Sequence, residues 1–147
     1  MNRKDFLKQC GLGCMAAAGL GTLAAGCASK IFAGRIDGDN MIVPLKDFET
    51  RAGKEIHYKK YVVVQNDLLQ HPICVYRFNA TEYSALWMKC PHQGAELQVF
   101  GDMLQCPAHG SEFKNTGDVQ NGPADKNLRS FPVTIEKDHI KISLKAV

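Results

Sequence analysis

Two short stretches decide the fold of this 147-residue chain: CPHQGA at 90–95 and CPAHGS at 106–111. Each brings a cysteine, a proline, a histidine and a glycine together, and neither shows the apolar periodicity of a helix or a strand. Proline stiffens a loop, and glycine lets its backbone approach a neighbouring group closely. The two stretches therefore predict a pair of stiff loops that carry the same chemistry.

The cysteines and histidines of these loops form a C-x-H pattern, then thirteen intervening residues, then a C-x-x-H pattern. Two thiols and two imidazoles are enough donors for a metal centre. Structural zinc sites usually group cysteines in one knuckle, whereas here each loop supplies one of each donor. A disulfide between Cys90 and Cys106 is a further alternative for an exported protein. The pattern favours a two-iron cluster with two thiolates on one iron and two imidazoles on the other.

The chain after residue 40 predicts strands. Short β-branched or aromatic runs, broken by Asn, Asp, Pro and Gly, lie at 41–45, 56–65, 73–78 and 83–89. Hairpins are predicted over 97–106, turning at Gly101-Asp102, and over 131–144, turning at Lys137-Asp138. The first hairpin would place the two loops side by side. We expect an all-β domain of small packed sheets or a sandwich, with Cys74 as a buried free thiol.

Residues 90–113 resemble the two boxes of a Rieske iron–sulfur domain, and the likeness continues through GDVQNGPA at 117–124 to the last hairpin. It covers residues 40–147 loosely and the boxes closely. The resemblance implies an all-β, Rieske-type domain of small antiparallel sheets with a cluster-binding loop subdomain. It also implies a 2Fe-2S cluster and transfer of single electrons, with no catalytic site in the chain itself.

Carried over position by position, the resemblance assigns the inner iron to Cys90 and Cys106. It assigns the outer iron, near the surface, to His92 and His109. Neutral imidazoles in place of two anionic thiolates raise the reduction potential, because the cluster then accepts an electron more readily. The solvent-side N–H of each ligand histidine couples electron to proton, since its pKa depends on the oxidation state.

Further residues are implied at the cluster. Ser111 matches a serine whose hydroxyl donates to a bridging sulfide. Gly94 follows the first histidine and permits a close approach of the loop backbone. Pro123 lies in a segment, 122–124, that resembles the proline loop covering the cluster in this family.

Two departures from the family pattern predict a lower reduction potential. Many respiratory Rieske proteins carry an extra cysteine in each box, joined as a disulfide, and here those places hold Ala95 and Ala108. The tyrosine expected two residues after the serine is replaced by Phe113. Each lost donor leaves the reduced cluster less stabilised. We therefore expect a potential in the middle of the Rieske range.

The start of the chain, residues 1–27, has the layout of an export signal, a basic beginning followed by an uncharged run of small and apolar residues. NRKDFLK resembles a twin-arginine signal with lysine as its second cation. AAGC at 24–27 resembles a lipobox, in which Cys27 would receive lipid. An uncleaved transmembrane anchor is the alternative. Residues 28–39 are polar and predict a linker, followed by the Rieske domain at 40–147.

The charge distribution argues against nucleic-acid binding. The formal net charge is +3, and residues 1–26 account for two of these charges, so the domain has no predicted basic face. We expect redox partner proteins, a quinol-oxidising complex or a cytochrome, on the periplasmic side of a bacterial membrane, with lipid or an N-terminal anchor as the tether. The alternatives are a Rieske ferredoxin that feeds an oxygenase and a structural zinc domain.

Overall fold

The structure, a computed structural model, describes residues 30–145. The export signal, the lipobox and the alternative membrane anchor were predicted in a part of the chain that lies outside the described residues. Residues 30–145 form fifteen strands and a 3-10 helix at Leu45–Phe48. None of their helices has the length and apolar character needed to cross a bilayer. The strands are β1 (Ile31–Ala33), β2 (Arg35–Asp37), β3 (Asn40–Pro44), β4 (Glu49–Ala52), β5 (Glu55–Tyr58), β6 (Tyr61–Gln65), β7 (Ile73–Arg77), β8 (Tyr83–Trp87), β9 (Gln98–Phe100), β10 (Met103–Gln105), β11 (Glu112–Lys114), β12 (Val119–Asn121), β13 (Ser130–Phe131), β14 (Val133–Ile135) and β15 (His139–Ser143).

The strands form three sheets and a separate hairpin. A five-stranded sheet has the order β1-β6-β7-β8-β13, and two four-stranded sheets have the orders β14-β15-β3-β2 and β12-β11-β10-β9. Strands β4 and β5 pair only with each other. Every pair of these strands is antiparallel except β1 with β6, which is parallel. The prediction of an all-β domain of small antiparallel sheets is confirmed, with this one parallel pair.

The five-stranded sheet is the central layer because both of its faces are covered. On one face Val64 and Val75 pack against β3 and β15, in what we call the far-side core. On the other face Val63, Cys74 and Leu86 pack against the two predicted loops and their hairpin. A strand buried on both faces has no need to alternate apolar and polar residues. The continuous apolar runs of β6 and β7 follow from this arrangement.

The core beneath the two loops, which we call the site-side core, combines residues from the central sheet with residues from the loop region. Cys74 belongs to it as a fully buried free thiol, as predicted. The buried members of the site-side core are Val63, Cys74, Tyr76, Leu86, Met88, Cys90, Leu97, Leu104, Cys106, Phe113, Ala124 and Leu128.

Both predicted hairpins are present. Strands β9 and β10 pair from Phe100 with Met103, and Gly101 at the first turn position has a φ of 62°. Only glycine adopts this left-handed conformation at little cost, which is why the turn begins there. Strands β14 and β15 turn where the amide of Glu136 donates to the carbonyl of His139 at 2.8 Å.

The predicted linker at 28–39 is wrong where the structure describes it. Strand β1 pairs with β6 at one edge of the central sheet, and β2 pairs with β3. Phe32 and Ile36 pack against the far-side core, so their apolar side chains are the reason that this segment joins the domain.

The run at 56–65, predicted as one strand, is divided between two sheets. Strand β5 ends at Tyr58 and β6 begins at Tyr61. Lys59 turns inward at the break, where its Nζ donates to the carbonyl of Asp47 at 2.8 Å. Because β5 is exposed and β6 is central, one continuous strand could not serve both positions.

Candidate metal centre

The two cysteine–histidine loops have the same backbone construction. In the first loop the amide of Cys90 donates to the carbonyl of Ala95, and the amide of Gly94 donates to the carbonyl of Cys90, both at 2.8 Å. The second loop repeats these bonds at 2.8 and 2.9 Å, from Cys106 to Ser111 and from Gly110 to Cys106. Each loop therefore closes on itself within six residues.

The sheet fixes the ends of both loops. A single β-bridge between Lys89 and Glu96 closes the first loop, and β10 leads directly into Cys106 of the second. The glycines Gly94 and Gly110 have φ values of 78° and 77°, in the left-handed region that a side chain disfavours. This conformation turns each chain back toward its strand after the histidine.

The thiols of Cys90 and Cys106 form an inner pair. Each residue is 1% exposed, and both belong to the site-side core. Both are free thiols, so the disulfide alternative is not realised in the structure. Burial raises the pKa of the Cys90 thiol, opposed by backbone N–H groups of His92 and Gln93 that donate to its sulfur. Two buried thiolates need a compensating positive charge, which a metal centre supplies.

The imidazoles of His92 and His109 form an outer pair. Their ring centroids are 5.0 Å apart and the rings are perpendicular. Both histidines are exposed to solvent. The loops thus place sulfur donors inside the domain and nitrogen donors at its surface.

This division of the donors by depth fits a two-iron cluster. A thiolate pair on a buried iron and an imidazole pair on a surface iron match what the loops present. A structural zinc ion instead needs four donors around one point. Within residues 30–145 no three His, Cys, Asp or Glu side chains are grouped to hold a single metal ion.

Ser111 ties the proline-containing segment to the second loop. The serine is fully buried, and its Oγ accepts a hydrogen bond from the amide of Ala124 at 3.0 Å. The hydroxyl proton is left for donation in another direction. Pro123, which follows a cis peptide bond from Gly122, is exposed beside this contact. The structure therefore brings the predicted proline segment against the second box.

Phe113 occupies a fully buried position on β11, opposite Leu104 on β10. It belongs to the site-side core together with both thiol-bearing cysteines. Its ring fills the place where a tyrosine would bring a hydroxyl group. Of the two alanines that stand where many respiratory Rieske proteins have disulfide cysteines, Ala95 packs against this core and Ala108 is exposed.

Sequence reasoning missed two features of this region. The amide of Ala124 is a partner of Ser111, although a backbone donor leaves no trace in residue type. A groove beside the first loop is lined by side chains from two distant segments, among them Trp87, Lys126 and Arg129. No local pattern links these positions.

Comparison with known proteins identifies a family. The profile of the Rieske (2Fe-2S) domain family matches residues 48–132. Among solved structures, the plasma membrane Rieske protein PetC3 from Synechocystis PCC 6803 is 25% identical, over 57% of this chain and 86% of that chain, with a TM-score of 0.50. Naphthalene 1,2-dioxygenase with indole bound in the active site is 17% identical, over 72% of this chain and 26% of that chain, with a TM-score of 0.55, a likeness in fold alone. The comparison with curated proteins found no match.

An all-β domain with two loops that bury thiols and expose imidazoles defines an iron–sulfur electron-transfer domain. The chain belongs to the Rieske (2Fe-2S) domain family. Its cofactor is a 2Fe-2S cluster, and it carries single electrons.

Proposed function

We propose that this chain carries electrons outside the cytoplasm, tethered to a bacterial membrane, in a quinol-oxidising or other respiratory chain. The single observation that supports electron exchange with a partner protein is that the sulfur donors are buried and the nitrogen donors are exposed. The Cys90 and Cys106 thiols are 1% exposed, whereas His92 and His109 reach solvent. A partner protein can therefore approach the imidazoles while the thiols remain buried away from solvent.

In this proposal Cys90 and Cys106 hold the inner iron, and His92 and His109 hold the outer iron. The bound cluster supplies one-electron redox chemistry. The chain contributes backbone N–H groups of His92 and Gln93, which stabilise negative charge on the Cys90 sulfur. The rings of His92 and His109 are exposed, so water and a partner protein can reach them.

Three neighbours complete the proposed site. The Ser111 hydroxyl would donate to a bound cluster, while its oxygen accepts the hydrogen bond from the Ala124 amide. Gly94 keeps the first loop tightly closed, and Pro123 stiffens the segment that lies beside the second loop. Gly94 has no side chain and Ser111 has a short one, so both could lie close to a bound cluster without filling its space.

We propose a lowered reduction potential because this chain lacks a hydroxyl group and a disulfide that related proteins have near the cluster. Phe113 offers no hydroxyl, and Ala95 and Ala108 offer no disulfide to staple the loops. Hydrogen bonds to a cluster stabilise its reduced, more negative state, so their loss lowers the potential. We place the centre below the high-potential quinol-oxidising type and within the middle of the Rieske range.

The leader supports the proposed location. Its likeness to a twin-arginine signal would allow export of a folded protein with its cluster already inserted. If Cys27 carries lipid, residues 28–30 alone separate the anchor from β1, and these can span about 10 Å at full extension. Such a short tether favours partners that come to the domain over a domain that swings to them.

The metal assignment is tested on the full chain, expressed with its leader and purified anaerobically. We expect iron and acid-labile sulfide in equal amounts and a rhombic EPR signal after reduction. The His92→Cys variant should keep its iron and give a changed EPR signal. The Cys90→Ser variant should lose most of its iron. A colourless protein that contains zinc would overturn the proposal.

The location is tested separately by fractionating cells that express the wild type or Cys27→Ala. The wild-type protein should sediment with the membrane fraction and incorporate labelled fatty acid. It should lie on the periplasmic side of that membrane. The variant should lose the lipid label. Wild-type protein found in the cytoplasm without a processed leader would contradict the proposed location and leave the cluster assignment intact.

A second candidate is a Rieske ferredoxin that feeds an oxygenase. The observation that favours it is the lack of the box disulfide, because Ala95 and Ala108 replace both of its cysteines. The two functions separate by compartment and by partner. Reduction by a cytoplasmic reductase and delivery of electrons to an oxygenase would support the ferredoxin.

A further inference from the structure

An open groove of about 550 Å³ lies directly beside the first loop. Residues 90–94 form one wall of the groove, so His92 is among its lining residues. The other wall comes from the segment that precedes β13, because that strand pairs with β8 and returns the chain to the loop. The groove is therefore part of the surface through which a partner would reach the outer imidazole pair.

The charged side chains that line this groove, apart from the candidate ligands, are all cationic: Lys89, Lys126 and Arg129. None of the three forms an ion pair with any residue in the range 30–145. Two unpaired cations on one side of a groove and a third opposite give it a positive potential that attracts anionic groups.

An aromatic ring positions two of these cations. The Nζ of Lys89 lies 5.1 Å from the ring centroid of Trp87, and the Cζ of Arg129 lies 5.4 Å from the same centroid. Arg129 also lies 4.7 Å from the ring of Phe131. Cation–π contacts orient a cation without neutralising it. The charges are thus held in place and stay available.

The carboxylates near the groove are outside its lining. Glu96, the bridge partner of Lys89, lies 3.7 Å from His71 and does not line the groove. Asp118 accepts hydrogen bonds from Asn127 and Thr116 at 2.8 and 2.7 Å. Asp125, next to Lys126 in sequence, is exposed and does not line the groove.

Two other grooves are also partly basic, but neither includes a candidate metal ligand in its lining. The groove of about 790 Å³ at the β14–β15 turn has carboxylates as well as cations in its lining. A smaller groove near β1 is lined by Lys30, Lys59 and Lys60, of which Lys60 is paired with Asp102 at 2.9 Å.

We propose that the groove formed by Lys89, Lys126 and Arg129 around Trp87 docks an acidic redox partner protein, seated against His92. The proposal rests on the electron-carrying function and adds the charge of the partner and the face that receives it. Opposite charges across a docking face raise the association rate and orient the encounter, and salt screens both effects. The partner surface that approaches the imidazoles should therefore be rich in Asp and Glu.

The test uses the full-length holoprotein and one acceptor in two charge forms. The reduced protein is mixed by stopped flow with mitochondrial cytochrome c, either native and basic or succinylated so that its lysines carry carboxylates. We expect electron transfer to the succinylated form to be faster at low salt and to slow as salt increases. Neutralising the groove in K89Q/K126Q/R129Q should slow this reaction about tenfold at low ionic strength and flatten its salt dependence.

A matched variant removes the same charge elsewhere. K46Q/K54Q/K137Q changes three exposed lysines outside this groove and should alter the rate less than about twofold. All variants are compared after their EPR signals show an intact cluster. Equal slowing in both triple variants, or no slowing in the groove variant, would overturn the docking proposal while the carrier function stands. A protein that holds no cluster, or passes no electrons to either acceptor, would overturn both.

Discussion

The hydroxyl oxygen of Ser111 lies 3.0 Å from the amide nitrogen of Ala124, and both residues are buried. This hydrogen bond joins the second cysteine–histidine loop to the segment at 122–124 that resembles the family's proline loop. One short side chain therefore holds two loops together and still has a proton to donate. Removing the hydroxyl should therefore affect two measurable properties, the stability of the fold and the reduction potential.

Replacing Ser111 with alanine should lower both the stability and the reduction potential. The buried amide of Ala124 loses its acceptor, which costs about 1–3 kcal/mol of folding free energy. The lost donation to the cluster should lower the midpoint by about 40 mV if that bond is about 1 kcal/mol stronger in the reduced state. Denaturant unfolding and protein-film voltammetry measure the two effects. Ser84→Ala, which removes a 2.5 Å bond to the carbonyl of Asn115, should affect only stability.

Adding a hydroxyl at Phe113 should raise the midpoint potential. Phe113→Tyr places a donor in the site-side core beside the cysteine pair, where it can stabilise the reduced cluster. We expect a rise of about 40 mV for a bond of about 1 kcal/mol, with a stability loss of about 1–3 kcal/mol because the position is fully packed. Phe131→Tyr makes the same change in the far-side core and should leave the midpoint unchanged. A lower midpoint in Phe113→Tyr would refute the role of the missing hydroxyl.

The left-handed glycine of the second loop should be needed for cluster retention. A Cβ at Gly110 would meet no atom within 4 Å, so Gly110→Ala tests backbone strain alone. Alanine in this conformation costs about 1–2 kcal/mol. Gly38, in a turn far along the chain, has a φ of 57° and equal space, so Gly38→Ala should lose similar stability. Only Gly110→Ala should release iron faster to a chelator; equal release from both would argue against loop closure as the cause.

Cys74 should make stability fall at alkaline pH. Burial raises the pKa of this thiol well above its ordinary 9.0. The folded protein keeps the thiol proton while the unfolded chain loses it, so the contribution is complete below about pH 9 and declines above, by up to about 1.4 kcal/mol per pH unit. Cys74→Ala should show a flatter decline in urea unfolding between pH 8 and pH 10. An identical slope in both proteins would show that the thiol is not the titrating group.

Local sequence patterns predicted most strands because each apolar run corresponds to one buried strand. The turn at Gly101-Asp102 was predictable since its first position requires glycine. The cysteines and histidines were predictable as a group because their spacing within each loop is short. What spacing could not supply is depth: burial of the thiols and exposure of the imidazoles depend on packing by the site-side core.

The failures have equally physical causes. Strand β1 contains one half-buried residue, Phe32, whose contacts lie far away in sequence, so a polar linker was the natural interpretation. The run at 56–65 satisfies strand propensity throughout, and propensity cannot show that Lys59 breaks the strand. The basic groove depends on residues nearly forty positions apart, brought together by the pairing of β13 with β8.

The central sheet has a consequence for engineering. Four of its residues, Val63, Cys74, Tyr76 and Leu86, supply the floor on which the loop region is seated. A segment cut out at 88–128 would leave that floor behind and carry its own apolar underside into water. Grafting this redox unit onto another scaffold thus requires a host protein with an apolar β-sheet face of matching shape.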